Sequence, residues 1–253
     1  MARIAVFDSG LGSLSIIREI QKIAKSEIIY FGDQKNFPYG KKSKAELEKI
    51  ICLTIKTLRD RFSPDLIVVG SNTPTLMLDI QKDIIGVRPP IREAIKISKT
   101  KNVGILGTKS AIQSRGMSKF IKGLNLDLEK NIHRINGSDL VELVETGKFL
   151  TCRALCCRII RNSLQDIISD KNIDVITLSS THLPFLRPLL EKEFPDVTFL
   201  DPARLVAKKI YKKIKHKQKR QNKLRIYTSG NVRKFQKNLS RLGIKNKVNF
   251  LSI

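Results

Sequence analysis

The chain lacks any apolar run near the roughly 20 residues that a membrane-spanning helix requires, so nothing in it reads as a span. Its opening, Met1-Ala2-Arg3-Ile4-Ala5-Val6-Phe7-Asp8, meets an acidic residue too early for a secretory signal. Cysteine is scarce: Cys52, Cys152, Cys156 and Cys157 form neither a disulfide framework nor a Cys-x-x-Cys pair. The expectation is a soluble, reduced, cytoplasmic protein without membrane contact. Cofactor and metal signatures are missing as well. Gly10-Leu11-Gly12 follows a strand, but Ser15 stands where a dinucleotide fingerprint needs its third glycine. No Gly-x-x-x-x-Gly-Lys-Ser/Thr loop is present, and His133, His182 and His216 are scattered, so neither cofactor nor metal is expected.

Acidic residues are absent from Pro202 to Ile253, a stretch with 17 Lys and Arg in a chain of net charge +25. Such a stretch suits a polyanion, whose binding would depend steeply on salt. The plainer reading is a solvated lysine-rich helix face, since aromatics are sparse there and no groove-reading motif occurs.

What is present is an α/β pattern. The 253 residues, 41% of them hydrophobic, suit two α/β domains or one large one. Two stretches share one design: Asp65 to Pro74 and Asp174 to Pro184. In each, an Asp stands six residues before a Ser (Ser71, Ser180), an apolar strand lies between, and a Pro follows at the next helix. This reads as an internal duplication with two strand ends facing one cleft.

Apolar spacing predicts strands at Arg3 to Phe7, Glu27 to Phe31, Asn102 to Gly107, Val197 to Leu200, Leu224 to Tyr227 and Val248 to Ile253, besides the two serine strands. Ile16, Ile17, Ile20 and Ile23 mark a helix after Ser13, and Ser43 with Glu46 reads as a capping box before Leu47, Ile51 and Leu58. Further helices are expected from Ser138 or Asp139 to Glu145, over Thr151 to Ser169, after Asp201-Pro202, and through Phe235, Leu239 and Leu242 to an end at Gly243, with a charged loop from His216 to Lys223. Alternating strands and helices imply mainly parallel, doubly wound sheets, whose ligands sit at the carboxyl ends of strands. Asp8, Ser71, Thr108 and Ser180 all stand there.

Asp8-Ser9-Gly10, Pro38-Tyr39-Gly40, Ser71-Asn72-Thr73, Glu145-Thr146-Gly147 and Thr181-His182-Leu183-Pro184 occur in the order and spacing of glutamate racemase, and Tyr227-Thr228-Ser229-Gly230-Asn231 resembles that family's C-terminal strand and helix. The resemblance spans nearly the whole chain. It implies two similar α/β domains with an active-site cleft between them. One would hold residues 1–97 with the returning segment 208–253, the other residues 98–207. It also implies a cofactor-independent isomerase on an acidic amino acid such as glutamate, using two bases flanking Cα, with D-glutamate going to peptidoglycan. A homodimer is a possible assembly. The resemblance assigns Asp8, Ser9, Tyr39, Gly40, Asn72, Thr73, Thr108, Thr181 and His182 to substrate binding. Asp8, Ser71, Glu145, Ser180 and His182 fall on its proton-transfer positions.

Two of those positions depart from the family, which has cysteines where this chain has Ser71 and Ser180. Leu183 replaces a usual Tyr, Pro74 a usual Ala, and Met117 stands where an aromatic is common. A thiol with a pKa of about 8.5 is a far better base than a serine hydroxyl, which needs a partner to remove its proton. Losing a positioned base costs on the order of a hundred- to ten-thousand-fold. Racemisation at a thiol-based rate is therefore not expected. Three substitutes can be drawn: His182 and Asp8 as acid/bases, a thiol from Cys152, Cys156 or Cys157, or a nucleophilic Ser71 or Ser180. No Gly-x-Ser-x-Gly elbow supports the last. Hydrogen-bonded rim histidine, small buried cysteines and helix caps are the plain structural readings of the same residues. The alternative to an enzyme is a silent, racemase-like protein that binds an acidic metabolite, or a polyanion-binding protein acting through its basic C-terminal segment.

Overall fold

The computed structural model describes residues 2–78, 83–126, 131–217 and 221–253. It divides into two compact units, Met1–Val87 with Ala203–Ile253, and Arg88–Pro202.

The first unit begins β1 (Arg3–Asp8), α1 (Ser13–Ile23), β2 (Glu27–Gly32), α2 (Lys44–Phe62), β3 (Leu66–Val69), α3 (Asn72–Met77) and β4 (Ile85–Gly86). The second runs α4 (Ile91–Ile97), β5 (Val103–Gly107), α5 (Lys109–Ile112), α6 (Arg115–Lys122), β6 (Ile132–Asn136), α7 (Ser138–Glu145), α8 (Lys148–Thr151), α9 (Arg153–Lys171), β7 (Val175–Leu178), α10 (Arg187–Glu193) and β8 (Thr198–Leu200). The chain then returns to the first unit with α11 (Ala203–Ile214), β9 (Lys223–Thr228), α12 (Val232–Arg241) and β10 (Val248–Phe250).

Every strand pairing is parallel. The sheets have the orders β10-β9-β2-β1-β3-β4 and β6-β5-β7-β8. Strands buried on both faces explain the near-continuous apolar runs Ile4 to Phe7 and Leu66 to Val69. In the first sheet Ala5, Phe7, Ile29, Phe31, Ile67 and Val69 pack on Leu47, Ile51, Ile55 and Leu58 of α2. The alternate residues face α1 and α12: Tyr30 meets the Phe235 ring, and Ser13 of α1 donates to the Gly70 carbonyl. In the second unit Leu140, Leu143, Ile160 and Leu164 of α7 and α9 close over Leu106, Ile176 and Leu178.

The Ser43–Glu46 capping box is formed in both directions. Several local expectations are corrected. The helix ending at Glu145 is capped by Gly137, not by Ser138 or Asp139, because the Ser138 hydroxyl instead donates to Asn136 Oδ1 and accepts from the Lys109 amide. The long helix starts at Arg153 and runs to Lys171, two residues later at each end than apolar spacing suggested, and stops where Asn172 turns left-handed at φ 49°. The last helix stops at Arg241, one residue short of Leu242. The expected His216–Lys223 loop is a short 3-10 turn at Lys215–Lys217 and the first residue of β9 at its ends, while residues 218–220 lie outside the described residues. Strand β6 and helices α4 and α6 were not anticipated. His133 and Arg134 interrupt the apolar pattern of β6, an edge strand with one exposed side.

Candidate active site

In the first unit, three neighbouring strands deliver polar residues at their carboxyl ends. Strand β1 ends on Asp8, which is buried, with Oδ1 accepting the Ser9 amide at 2.7 Å. Next to it, β2 ends at Gly32, and the following Asp33 is fully buried at 0% exposure. Its carboxylate accepts from the Tyr39 hydroxyl at 2.9 Å, from Asn36 Nδ2 at 3.0 and 2.9 Å, and from the Ser229 hydroxyl at 2.7 Å. Ser229 follows β9, so the returning C-terminal segment clamps the loop that carries Tyr39 and Gly40. The Tyr39 amide reaches the Ser9 hydroxyl at 3.4 Å. Burial first, then the negative charges of Asp33 and Asp8, push the Tyr39 phenol well above its ordinary pKa. It therefore acts as a neutral hydrogen-bond donor.

Strand β3 ends at Val69, and Gly70 turns the chain into α3. A Cβ on Gly70 would lie 2.2 Å from the Ser13 hydroxyl oxygen, so only glycine fits this close approach. Ser71 is the N-cap residue of α3, yet its side chain makes no cap hydrogen bond. Asn72 Nδ2 donates to the Val87 carbonyl at 3.2 Å, which fixes the amide's orientation and turns Oδ1 the other way. That Oδ1 is buried and has no hydrogen-bond partner among the described residues. Thr75 ties the turn down by donating to the Ser71 carbonyl at 2.7 Å and accepting from the Val87 amide at 3.2 Å. Thr73 is buried in the first turn of the same helix.

The second unit places Thr108 after β5, where its hydroxyl caps α5 through the Ala111 amide at 3.4 Å. The neighbouring β7 leads into Ser179, Ser180, Thr181 and His182, all buried. His182 Nε2 meets Glu145 Oε2 at 3.0 Å, both side chains nearly buried at 7% and 11% exposure. A carboxylate only accepts, so Nε2 carries the proton and Nδ1 carries the lone pair when the ring is neutral. Glu145 reaches this position from the last residue of α7, just before Gly147 turns left-handed at φ 75°.

The structure thus gathers Asp8, Ser9, Tyr39, Gly40, Ser71, Asn72 and Thr73 past strand ends of one unit, and Thr108, Ser180, Thr181 and His182 past those of the other, with Glu145 brought to His182 from the end of α7. Neither Ser71 nor Ser180 has a side-chain hydrogen bond among the described residues, so neither hydroxyl has a base to deprotonate it. Cys156 and Cys157 lie buried in α9, and burial pushes both thiols up, away from thiolate formation. Met117 and Leu183 are core residues with no exposure. Asp33 and Ser229 escaped the sequence reading, although Asp33 follows its strand as Asp8 ends the neighbouring one, a positional signal that could have found it.

No family model matches the chain. It is 28% identical to a glutamate racemase from Sulfurihydrogenibium sp. over 242 residues, 92% of this chain and 91% of the relative. A Listeria monocytogenes glutamate racemase is 31% identical over 76% of this chain and 73% of its own length. One from Desulforudis audaxviator is 32% identical over 79% and 74%. Among solved structures, the Bacillus anthracis glutamate racemase isoform RacE1 superposes with a TM-score of 0.88 at 28% identity, covering 100% of this chain and 98% of that one. A Francisella tularensis glutamate racemase solved with D-glutamate gives 0.82 at 25% identity, covering 99% and 97%. Two all-parallel sheets, polar clusters at their strand ends, and relatives above 30% identity across most of the sequence converge: the chain belongs to the glutamate racemase family.

Proposed function

We propose that the protein binds an acidic amino acid, glutamate first, and moves its α-proton without a cofactor, slowly, through His182 and Asp8 in place of the family's thiols. The observation that carries this reading is the His182–Glu145 pair. A buried imidazole held by a carboxylate through Nε2 is oriented to take a proton at Nδ1, and the carboxylate stabilises the imidazolium that results. Asp8 takes or returns the second proton. A carboxylate is a weak base toward a carbon acid, hence the low rate. Ser71 and Ser180 serve as hydrogen-bonding groups beside Cα. Asn72 Oδ1, a buried acceptor lacking a donor, suits the substrate ammonium. Ser9 and Thr181 supply hydroxyl donors for carboxylates, Tyr39, whose hydroxyl proton goes to Asp33, holds the loop that carries Gly40, and Thr73 and Thr108 sit at helix starts that favour anions. The cellular role that follows from the family is D-glutamate supply for peptidoglycan in the cytoplasm.

The test is α-proton exchange in deuterated water, followed by NMR with L- and D-glutamate and separately aspartate. Slow exchange that His182→Ala and Asp8→Asn each reduce, mainly for opposite enantiomers, supports the reading, and silence of the natural protein sinks it. A second reading, a binding protein without turnover, draws on the missing base at both serines. It predicts silence with retained glutamate binding by calorimetry.

A further inference from the structure

The two faces of the first unit's sheet carry unlike charge. On one face α1 and α11 pack together, and Arg18 of α1 donates to the Leu242 carbonyl at the end of α12, so the three helices form one layer. That layer contains 11 basic residues (among them Arg18, Arg204, Lys208, Lys212 and Arg241) and 1 acidic residue, Glu19. Helix α2 on the opposite face has 5 basic and 3 acidic residues. A chain-wide lysine habit does not account for this. The segment from Pro202 onward takes 17 of the 48 Lys and Arg and none of the 23 Asp and Glu.

Helix α11 concentrates the effect. Its stripe Ala203, Val206, Ala207, Ile210 and Ile214 is buried, and Arg204, Lys208, Lys209, Lys212 and Lys213 are exposed around Tyr211, itself 39% exposed. None of these five cations makes an ion pair among the described residues, whereas Lys22 pairs with Glu19 and Lys217 with Asp65. Lys208 with Lys212 and Lys209 with Lys213 are like-charged neighbours one turn apart, which repel and destabilise the helix. An i,i+4 row places charges about 6 Å apart along the axis, a repeat of the same order as phosphate spacing along a nucleic-acid strand.

We propose that the α1–α11–α12 face is a binding surface for nucleic-acid backbone, sequence-independent and electrostatic. A phosphodiester polymer neutralises the unpaired row, and Tyr211 offers a stacking face. A lipid bilayer fits less well, because the apolar stripe that an interfacial helix would insert is already buried in the unit. The surface is independent of the chemistry proposed at the strand ends.

The experiment measures fluorescence anisotropy of a labelled single-stranded oligonucleotide with the full chain between about 50 and 200 mM salt. With at least four phosphate contacts, affinity falls by about fiftyfold across that range, since the log–log slope is about −0.7 per contact for a single strand. The quadruple variant Lys208→Gln, Lys209→Gln, Lys212→Gln and Lys213→Gln flattens the slope by about 3 and weakens binding at least tenfold. Its thermal midpoint stays level or rises, because the like-charge pairs are gone. The matched variant Lys99→Gln, Lys119→Gln, Lys122→Gln and Lys148→Gln, exposed lysines of the other unit, leaves the slope unchanged. Absence of binding at the lowest salt, equal loss in both variants, or capture by phosphatidylserine vesicles but not by the oligonucleotide each overturns the proposal.

Discussion

The two serine turns start alike and end differently. In both, the Asp six residues upstream pins the start of the strand. Asp65 accepts the Arg3 amide at 2.8 Å and Lys217 Nζ at 2.7 Å. Asp174 accepts the Lys99 and Thr100 amides at 2.6 and 3.2 Å together with the Ser98 and Thr100 hydroxyls. The Lys217 ammonium pulls the Asp65 carboxyl below its usual range, and for Asp174 burial, which acts upward, is outweighed by these hydrogen bonds. Past the serine the turns diverge. In the first unit the chain enters α3, tied through Asn72 and Thr75 to Val87, after a strand that neighbours the one ending on buried Asp8. In the second it enters a 3-10 turn at Leu183–Leu186 and presents an imidazole against Glu145. The repeated part is scaffold, and the part that differs holds the residues to which the proposed function assigns the chemistry.

The largest expected effect comes from placing a thiol at both serines. Ser71→Cys with Ser180→Cys raises glutamate α-proton exchange by on the order of a hundredfold or more. An unchanged rate would mean that neither serine stands beside Cα.

Next come the scaffold carboxylates. Asp174→Ala strands several donors and costs about 1–3 kcal/mol of unfolding free energy, while the mostly solvent-exposed partners of Asp65 make Asp65→Ala cost about 1 kcal/mol or less. Urea unfolding of the two variants measures the difference, and equal losses would contradict the asymmetry. Both carboxyls titrate lower folded than unfolded. Their stabilisation is therefore present above the unfolded value of 3.8 and lost as pH falls through the lower folded values, so both variants converge on the natural protein in strong acid.

The smallest effect is spectroscopic. Asp33→Asn removes one negative charge from the Tyr39 phenol, so its phenolate absorbance appears at lower pH than in the natural protein. Burial and Asp8 still hold it above an ordinary tyrosine. Tyr39→Phe identifies the signal, and an unmoved titration would show that Asp33 does not act on Tyr39. Because the folded phenol titrates above the unfolded one, its stabilisation is complete below about pH 10 and is lost as pH rises through the folded value.

Much of this fold is legible in the sequence because the buried parallel strands are continuous apolar runs and the helices show clean 3.6-residue spacing, as in Ile16, Ile17 and Ile20. What stays illegible is short or half-exposed. Strand β6 lies at an edge with His133 and Arg134 interleaved, and α6 has few apolar residues to set its period. At the candidate site, residues at strand ends such as Asp8 and Ser180 can be picked out from position. Pairings across long sequence separations cannot: Ser229 on Asp33 and His182 on Glu145 exist only once the sheets assemble. Nor does the sequence reveal that Asn72 Oδ1 is left without a donor, since that depends on where the Val87 carbonyl comes to lie.

The most direct test of the central claim is enantiomer-resolved deuterium incorporation at Cα of glutamate, compared between the natural protein, His182→Ala and Asp8→Asn. Two different bases, as proposed, predict slow incorporation into both enantiomers by the natural protein. His182→Ala then loses exchange mainly for one enantiomer, and Asp8→Asn mainly for the other. Equal effects of the two variants on both enantiomers, or no incorporation by the natural protein, would contradict the account.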